Sequence, residues 1–177
     1  MPSVLSHPAV PLSLAAVFGA ARVPPYLTAA ACLASVAPDL DAIGFEAGIP
    51  YAHPLGHRGF THSLCFALLL AAGFTPFARR LGASSGMTFT VVFVSAASHG
   101  LLDAMTTGGL GVAFFSPFSN ERHFLPWRVI LVSPIGIAGF FSRWGLRVLA
   151  SELLWIWAPA VLLAAIATAA RRRWGIS

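Results

Sequence analysis

Apolar positions along this chain gather into long runs separated by brief polar punctuation, without the alternation expected of strands. The first run, about Pro11 to Ala21, closes on Arg22. The pair Pro24-Pro25 opens a second, about Tyr26 to Ala37, which is expected to stop at Pro38. A third, Ser63 to about Phe77, closes on Arg79-Arg80, and Leu81 to Gly86 reads as a tight turn of small residues. The fourth, Met87 to about Met105, is uniformly apolar until His99 and Asp103. Thr106 to Pro126 is too irregular for a span. Trp127 to Phe141 is apolar but interrupted by Pro134 and two glycines, and reads equally as a re-entrant or interfacial segment and as a helix. The last span, about Leu149 to Ala170, ends in Arg171-Arg172-Arg173. The first two runs fall short of the roughly 20 residues needed to cross a bilayer. Either their flanks extend them or they form a hairpin packed within the protein.

The expected fold is therefore all-α: a polytopic membrane helix bundle of four to six apolar segments, with an antiparallel core of four helices plus a C-terminal span. It forms one domain over residues 1–177, with a helical core over 1–130 and an interfacial segment and last helix over 131–177. The N-terminus lacks a positively charged leading region, and His7 and three prolines disturb its apolar stretch, so it reads as a retained helix and not as a signal peptide.

Composition strengthens the membrane assignment. Apolar residues make up 57 % of the chain and charged residues 10 %, against roughly 25 % charged in soluble domains. The net charge of +5 comes entirely from arginine, and these arginines flank apolar runs. They do not form a basic face with interleaved aromatics, so nucleic acid is not an expected partner. Cys32 and Cys65 sit within apolar stretches, outside any CxxC pattern, and read as free. Arg22, Arg79, Arg80 and Arg171 to Arg173 fall at the ends of descending helices, which the positive-inside rule places in the cytoplasm. Arg122, Arg128, Arg143 and Arg147 lie toward the other face and oppose that orientation.

Polar residues are scarce enough that each needs a reason. His7 precedes the first helix, Asp39 and Asp41 follow the second, His57 and His62 introduce the third, and His99 and Asp103 close the fourth. In an up-down-up-down bundle those ends share one face, opposite the arginine clusters. Ionisable groups at membrane depth pair, face a wet cavity or bind an ion. His99 and Asp103, four apart on a helix, share one side. Histidine and carboxylate ligands suit Zn²⁺, Mn²⁺ or Fe²⁺, and several carboxylates permit one or two ions. The plainer readings are that Asp39 or Asp41 caps a turn after Pro38, that Thr61 is a helix N-cap, and that His99 and Asp103 form an ion pair.

The strings PDLD at Pro38 to Asp41, HRGFTHS at His57 to Ser63, SHGLLDAMTTGG at Ser98 to Gly109 and FFSPFSNERHFLPW at Phe114 to Trp127 resemble the YdjM-type, LexA-regulated, inner-membrane metal-dependent hydrolases over roughly residues 5 to 130. That resemblance implies a hydrolase of the bacterial inner membrane, with a metal-site pattern similar to zinc-dependent phospholipase C and nuclease-type helical enzymes. Zn²⁺ is then the first choice of cofactor. His57, His62, His99, Asp103, Asp39 and Asp41 match the motif, and His7 matches the family's N-terminal histidine, with Pro8 and Pro11 following it here.

The mechanism expected from these residues is attack by a metal-activated water. Whichever of Asp39 and Asp41 is not a ligand serves as general base or orients a histidine. Arg58 and Arg122 are expected to clamp a phosphate, with hydrogen bonds from Thr61, Ser63, Thr106 and Thr107. Membrane lipid is the environment and a candidate substrate, as a phosphoester or lipid phosphate on the extracytoplasmic face. The competing reading is a non-enzymatic metal-binding or metal-transport protein, although transporter sites usually lie at the bilayer midplane. No HExxH supports a protease.

Overall fold

In a computed structural model, residues 1–134 and 137–174 are described. Ile135 and Gly136, inside the stretch read as re-entrant or interfacial, lie outside the described residues, as do residues 175–177. Helix α1 (Ala9–Phe18) ends at Gly19, whose φ of 79° suits glycine at a helix C-terminus. Helix α2 (Pro25–Val36) carries proline in its first turn, where a missing N–H costs little.

The chain does not stop at Pro38. A 3₁₀ turn, Ala37–Ala42, takes Pro38 into its own first turn and leads into the short α3 (Ile43–Glu46). Pro25–Glu46 is thus a single 22-residue apolar segment, long enough to span the hydrocarbon core. After a loop, the 3₁₀ turn Phe60–His62 precedes α4 (Leu64–Phe74), whose last turn continues as Thr75–Phe77. Its N-cap is Ser63, which accepts from the Phe66 amide at 3.1 Å, and not Thr61. Helix α5 (Ser85–Ala104) follows, capped by Ser84.

Residues 105–134 form no regular element beyond two isolated bridges, Thr106 to Ile130 and Val112 to His123. The short α6 (Ile137–Phe140) leads into α7 (Arg143–Glu152), a π-helical segment Leu153–Trp157 and α8 (Ala158–Trp174). Together Arg143–Trp174 make one 32-residue apolar helix, starting well before Leu149. Among the described residues no strand forms, and the fold is the all-helical membrane bundle that the sequence predicts.

Helix α5 packs between α2 and α4. Alanines let the backbones approach: Leu27, Ala31 and Ala34 meet Ala71, Val91 and Val92 in one buried cluster. The C-terminal helix lies along α1, and leucines such as Leu162 and Leu163 stay exposed to the surroundings. Arg171 donates to the carbonyls of Ala16 and Val17 at the end of α1. Arg22 and Arg79 line one surface pocket. Three arginine-bearing turns therefore meet at one end of the bundle, and the histidines and aspartates gather at the other.

Candidate metal centre

Four separate chain segments supply the donors. His7 immediately precedes α1, and its ring stacks on His99 with centroids 3.6 Å apart. His99 and Asp103 lie on the buried side of α5. Next to His99, Gly100 lets the 3₁₀ turn carrying His62 come close, since a Cβ there would stand 2.7 Å from the His62 carbonyl. Asp39 reaches in from the 3₁₀ turn after α2.

The facing nitrogens are the most telling feature. His99 Nδ1 lies 2.8 Å from the Ser35 carbonyl, which can only accept, so Nδ1 carries the proton. His62 Nδ1 lies 3.1 Å from Asp41 Oδ2 and 3.0 Å from Thr61 Oγ1, whose own proton goes to Asp41 at 2.6 Å. That nitrogen is a donor as well. Were both rings neutral, they would present bare Nε2 atoms to each other at a separation of 3.1 Å. Two lone pairs at that distance require a cation between or beside them.

Carboxylates surround the pair. Asp39 Oδ1 lies 3.4 Å from His99 Nε2 and 3.7 Å from His62 Nε2, and Asp103 Oδ2 lies 3.5 Å from His62 Nε2. His7 Nε2 is 3.8 Å from Asp103 Oδ1 and 3.9 Å from Asp39 Oδ2. Both Asp39 oxygens, Asp103 Oδ1 and both His7 nitrogens are buried without a hydrogen-bond partner among the described residues. Leaving such groups unsatisfied costs several kcal/mol each, of order 1–3 for a neutral atom and more for a charged one. The donor set of three imidazoles and two carboxylates fits a divalent transition metal. His7, His99 and Asp103 form one triad with ligand atoms within 4.8 Å of one another, and Asp39, His57 and His62 form a second.

His57 and Asp41 sit one layer out. His57 Nδ1 is 2.7 Å from Asp41 Oδ1, so Asp41 bridges the two histidines of the HRGFTHS string. Asp39 and Asp41 are two residues apart in a 3₁₀ turn of three residues per turn, so their side chains leave the axis in different directions. One reaches the nitrogens and the other supports them.

The arginines differ from the sequence expectation. Arg58 is fully buried with φ of 63°, and its Nε lies 2.9 Å from Asp103 Oδ2. Its other nitrogens donate to the Gly108 carbonyl and the Thr106 hydroxyl. Gly109, at φ of 90°, leaves room for that guanidinium, since a Cβ there would stand 2.7 Å from Arg58 Nη1. Arg122 donates to the carbonyls of His57, Tyr51 and His53, tying two loops together. Both side chains are committed to protein acceptors, so neither is free to clamp a phosphate as expected. Thr61 and Thr106 donate their hydroxyl protons to Asp41 and to the Asp103 carbonyl, whereas the Ser63 and Thr107 hydroxyls accept from the Phe66 and Val132 amides.

Glu152 is the residue that sequence reasoning passed over. It is buried at the end of α7 and accepts from the Ser3 amide, the Ser3 hydroxyl at 2.6 Å and the Ser6 hydroxyl at 2.7 Å. Trp157 Nε1 donates to the same Ser6 hydroxyl at 3.1 Å. The intervening π-helical turn, with its i to i+5 repeat, brings residues 152 and 157 to one side. This clamp holds the segment that ends in His7. A lone carboxylate, in a helical span whose other charges are arginines near its two ends, was the available signal.

His7 and His62 both precede the helices they introduce, outside the spans. Burial, with His99 adding to it, pushes His7 down to about 3, which leaves a neutral ring able to bind an ion. Burial favours the neutral form of His62 too, but Asp103, Asp39 and Asp41 together override it and raise that ring to about 10. Without a metal ion, a proton supplies the cation this position demands.

Comparison with known proteins adds a family context. The sequence model described as YdjM inner membrane protein matches residues 1–174. The chain is 41 % identical over 165 residues to inner membrane protein YbcI of Escherichia coli (strain K12), covering 92 % of this chain and 95 % of that protein. No solved structure matches.

Proposed function

The chain belongs to the YdjM inner membrane protein family, and from that premise we propose that it is a membrane-bound metal-dependent hydrolase, acting on a phosphoester or lipid phosphate at the extracytoplasmic surface. The observation that carries the metal assignment is the approach of His62 Nε2 and His99 Nε2 to 3.1 Å with both Nδ1 atoms already donating. Three carboxylates, Asp39, Asp41 and Asp103, stand against one guanidinium, Arg58, in this buried cluster. Negative charge is in excess there, and a divalent ion would offset it. Zn²⁺ suits the three imidazoles, and Mn²⁺ or Fe²⁺ the added carboxylates.

His7, His62, His99, Asp39 and Asp103 would hold the ion. Bound there, it would supply Lewis-acid activation of water and of a phosphoryl oxygen at neutral pH. Asp41 fixes the tautomer of His62 through Nδ1, and the Ser35 carbonyl does the same for His99. Arg58 balances Asp103 and keeps its carboxylate aimed inward. The arginine-rich turns at the opposite end support an extracytoplasmic site through the positive-inside rule.

Burial favours a second reading. His7, His99 and Asp103 are 0 % exposed, and closed metal sites are more often structural than catalytic. Metal content and turnover separate the two. Elemental mass spectrometry on detergent-purified protein should find about one transition-metal ion per chain, and none in a His62→Ala/Asp103→Ala variant. A screen of phosphoesters and lipid pyrophosphates with the metal-loaded protein follows. Metal without any turnover would leave the structural reading, and equal emptiness of both proteins after reconstitution with Zn²⁺ and Mn²⁺ would remove the metal itself.

A further inference from the structure

A second feature borders the cluster on the side away from the arginine turns. A cavity of about 370 Å³ opens between the N-terminal segment, the 3₁₀ turn after α2 and α6. Its walls include Val4, Leu5, Ala42, Phe45, Phe140 and Phe141, and they are almost wholly apolar. That volume lies within the range of small-molecule sites, roughly 300–1,000 Å³.

The one ring that belongs to both places is His57. It is 1 % exposed, its Nδ1 is held by Asp41, and its Nε2 is buried with no hydrogen-bond partner among the described residues. A buried polar nitrogen on an apolar wall calls for a ligand atom beside it. The mouth points the same way. Leu5 and Phe141 are exposed by 58 % and 82 %, and Ile43, beside the lining residue Ala42, by 67 %. In a chain whose helices are long and apolar enough to cross a membrane, exposed apolar side chains of this kind suit contact with lipid.

We propose that this cavity binds a hydrocarbon chain of a membrane lipid, with the lipid's polar head directed past His57 toward the histidine–aspartate cluster. Apolar walls give a water-soluble ligand little to hold, whereas burial of methylenes stabilises a chain at roughly 0.8 kcal/mol for each CH₂ removed from water. Entry from the bilayer side requires no passage through solvent. The cavity itself stands independently of catalysis; the statement that the head is the reacting end rests on the hydrolase reading.

The test uses the full-length, metal-loaded protein reconstituted in vesicles of phosphatidylglycerol, extracted in mild detergent and weighed by native mass spectrometry. Wild type should retain one lipid per chain through washes that strip the surrounding lipid. Val4→Trp, which fills the cavity from the N-terminal segment, should lower that retention at least tenfold at unchanged metal content. Ala42→Phe fills it from a different element and guards against a local folding defect. Retention unchanged in both variants, with the metal still bound, would overturn the proposal. Turnover of a water-soluble phosphodiester with no lipid retained would also overturn it while leaving the hydrolase intact. Retained lipid that Val4→Trp displaces, without turnover of any phosphoester, would support the cavity and sink the hydrolase reading instead.

Discussion

Asp39 and Asp41 are the same residue type in the same short turn, yet the geometry gives them separate work. Asp39 oxygens face His7, His62 and His99, while Asp41 oxygens are occupied by His57, His62 Nδ1 and Thr61. Removing a ligand and removing the support of a ligand have different costs. Carboxylate partners of ligating histidines typically contribute 10–100-fold in metal affinity. Asp41→Asn should therefore weaken metal binding by about that factor, read by competition with a chromophoric chelator. Asp39→Asn should lower affinity further and abolish turnover while leaving membrane insertion intact. Equal losses in the two variants would put Asp41 among the ligands and erase the two-layer arrangement.

Helix ends carry the donors, so the elements must be held in register by contacts away from the cluster. The N-terminal segment is the most exposed to failure, because His7 sits outside any helix and depends on the Glu152 clamp. Glu152→Gln replaces an acceptor-only group with one that offers two donors to three donors already present. Amide hydrogen exchange over residues 3–7 should then rise severalfold while α5 stays protected, and metal affinity should fall with it. Unchanged exchange there would show that stacking on His99 alone holds His7. The convergence of His7, Asp39, His62, His99 and Asp103 was legible from sequence because apolar runs fix where helices turn, and every donor lay at a turn of the same sense. Arg58 was not legible. Its neighbours in HRGFTHS suggest a substrate contact, and only its burial against Asp103 and Gly108 shows a charge-balancing role. The extension of α2 beyond Pro38 escaped for a local reason, since a proline that normally ends a helix here begins a tighter one. Glu152 escaped because its partners, Ser3 and Ser6, lie about 150 positions away along the chain.

Across the whole molecule, charge is segregated: Arg22, Arg79 and Arg171 gather at one end, and Asp39, Asp41 and the buried Asp103 gather at the other. That arrangement makes stability depend on what cation sits among the carboxylates. In the unfolded chain the His62 ring has its ordinary value of 6.5, and in the folded metal-free protein it is raised to about 10. A raised folded value means that the protonated ring stabilises the fold fully below pH 6.5, and that this contribution is lost as pH climbs through 10. A metal ion at His62 Nε2 displaces the same proton, so acid opposes metal binding and alkali favours it. Chelator-treated protein in detergent should thus show a Tm that falls between pH 6.5 and 10. The metal-loaded protein should fall less, and the gap between the two curves should widen with pH. A gap that stays constant over that range would mean that proton and metal do not compete for His62, and the facing pair of Nε2 atoms would then lose its claim to be the heart of the site.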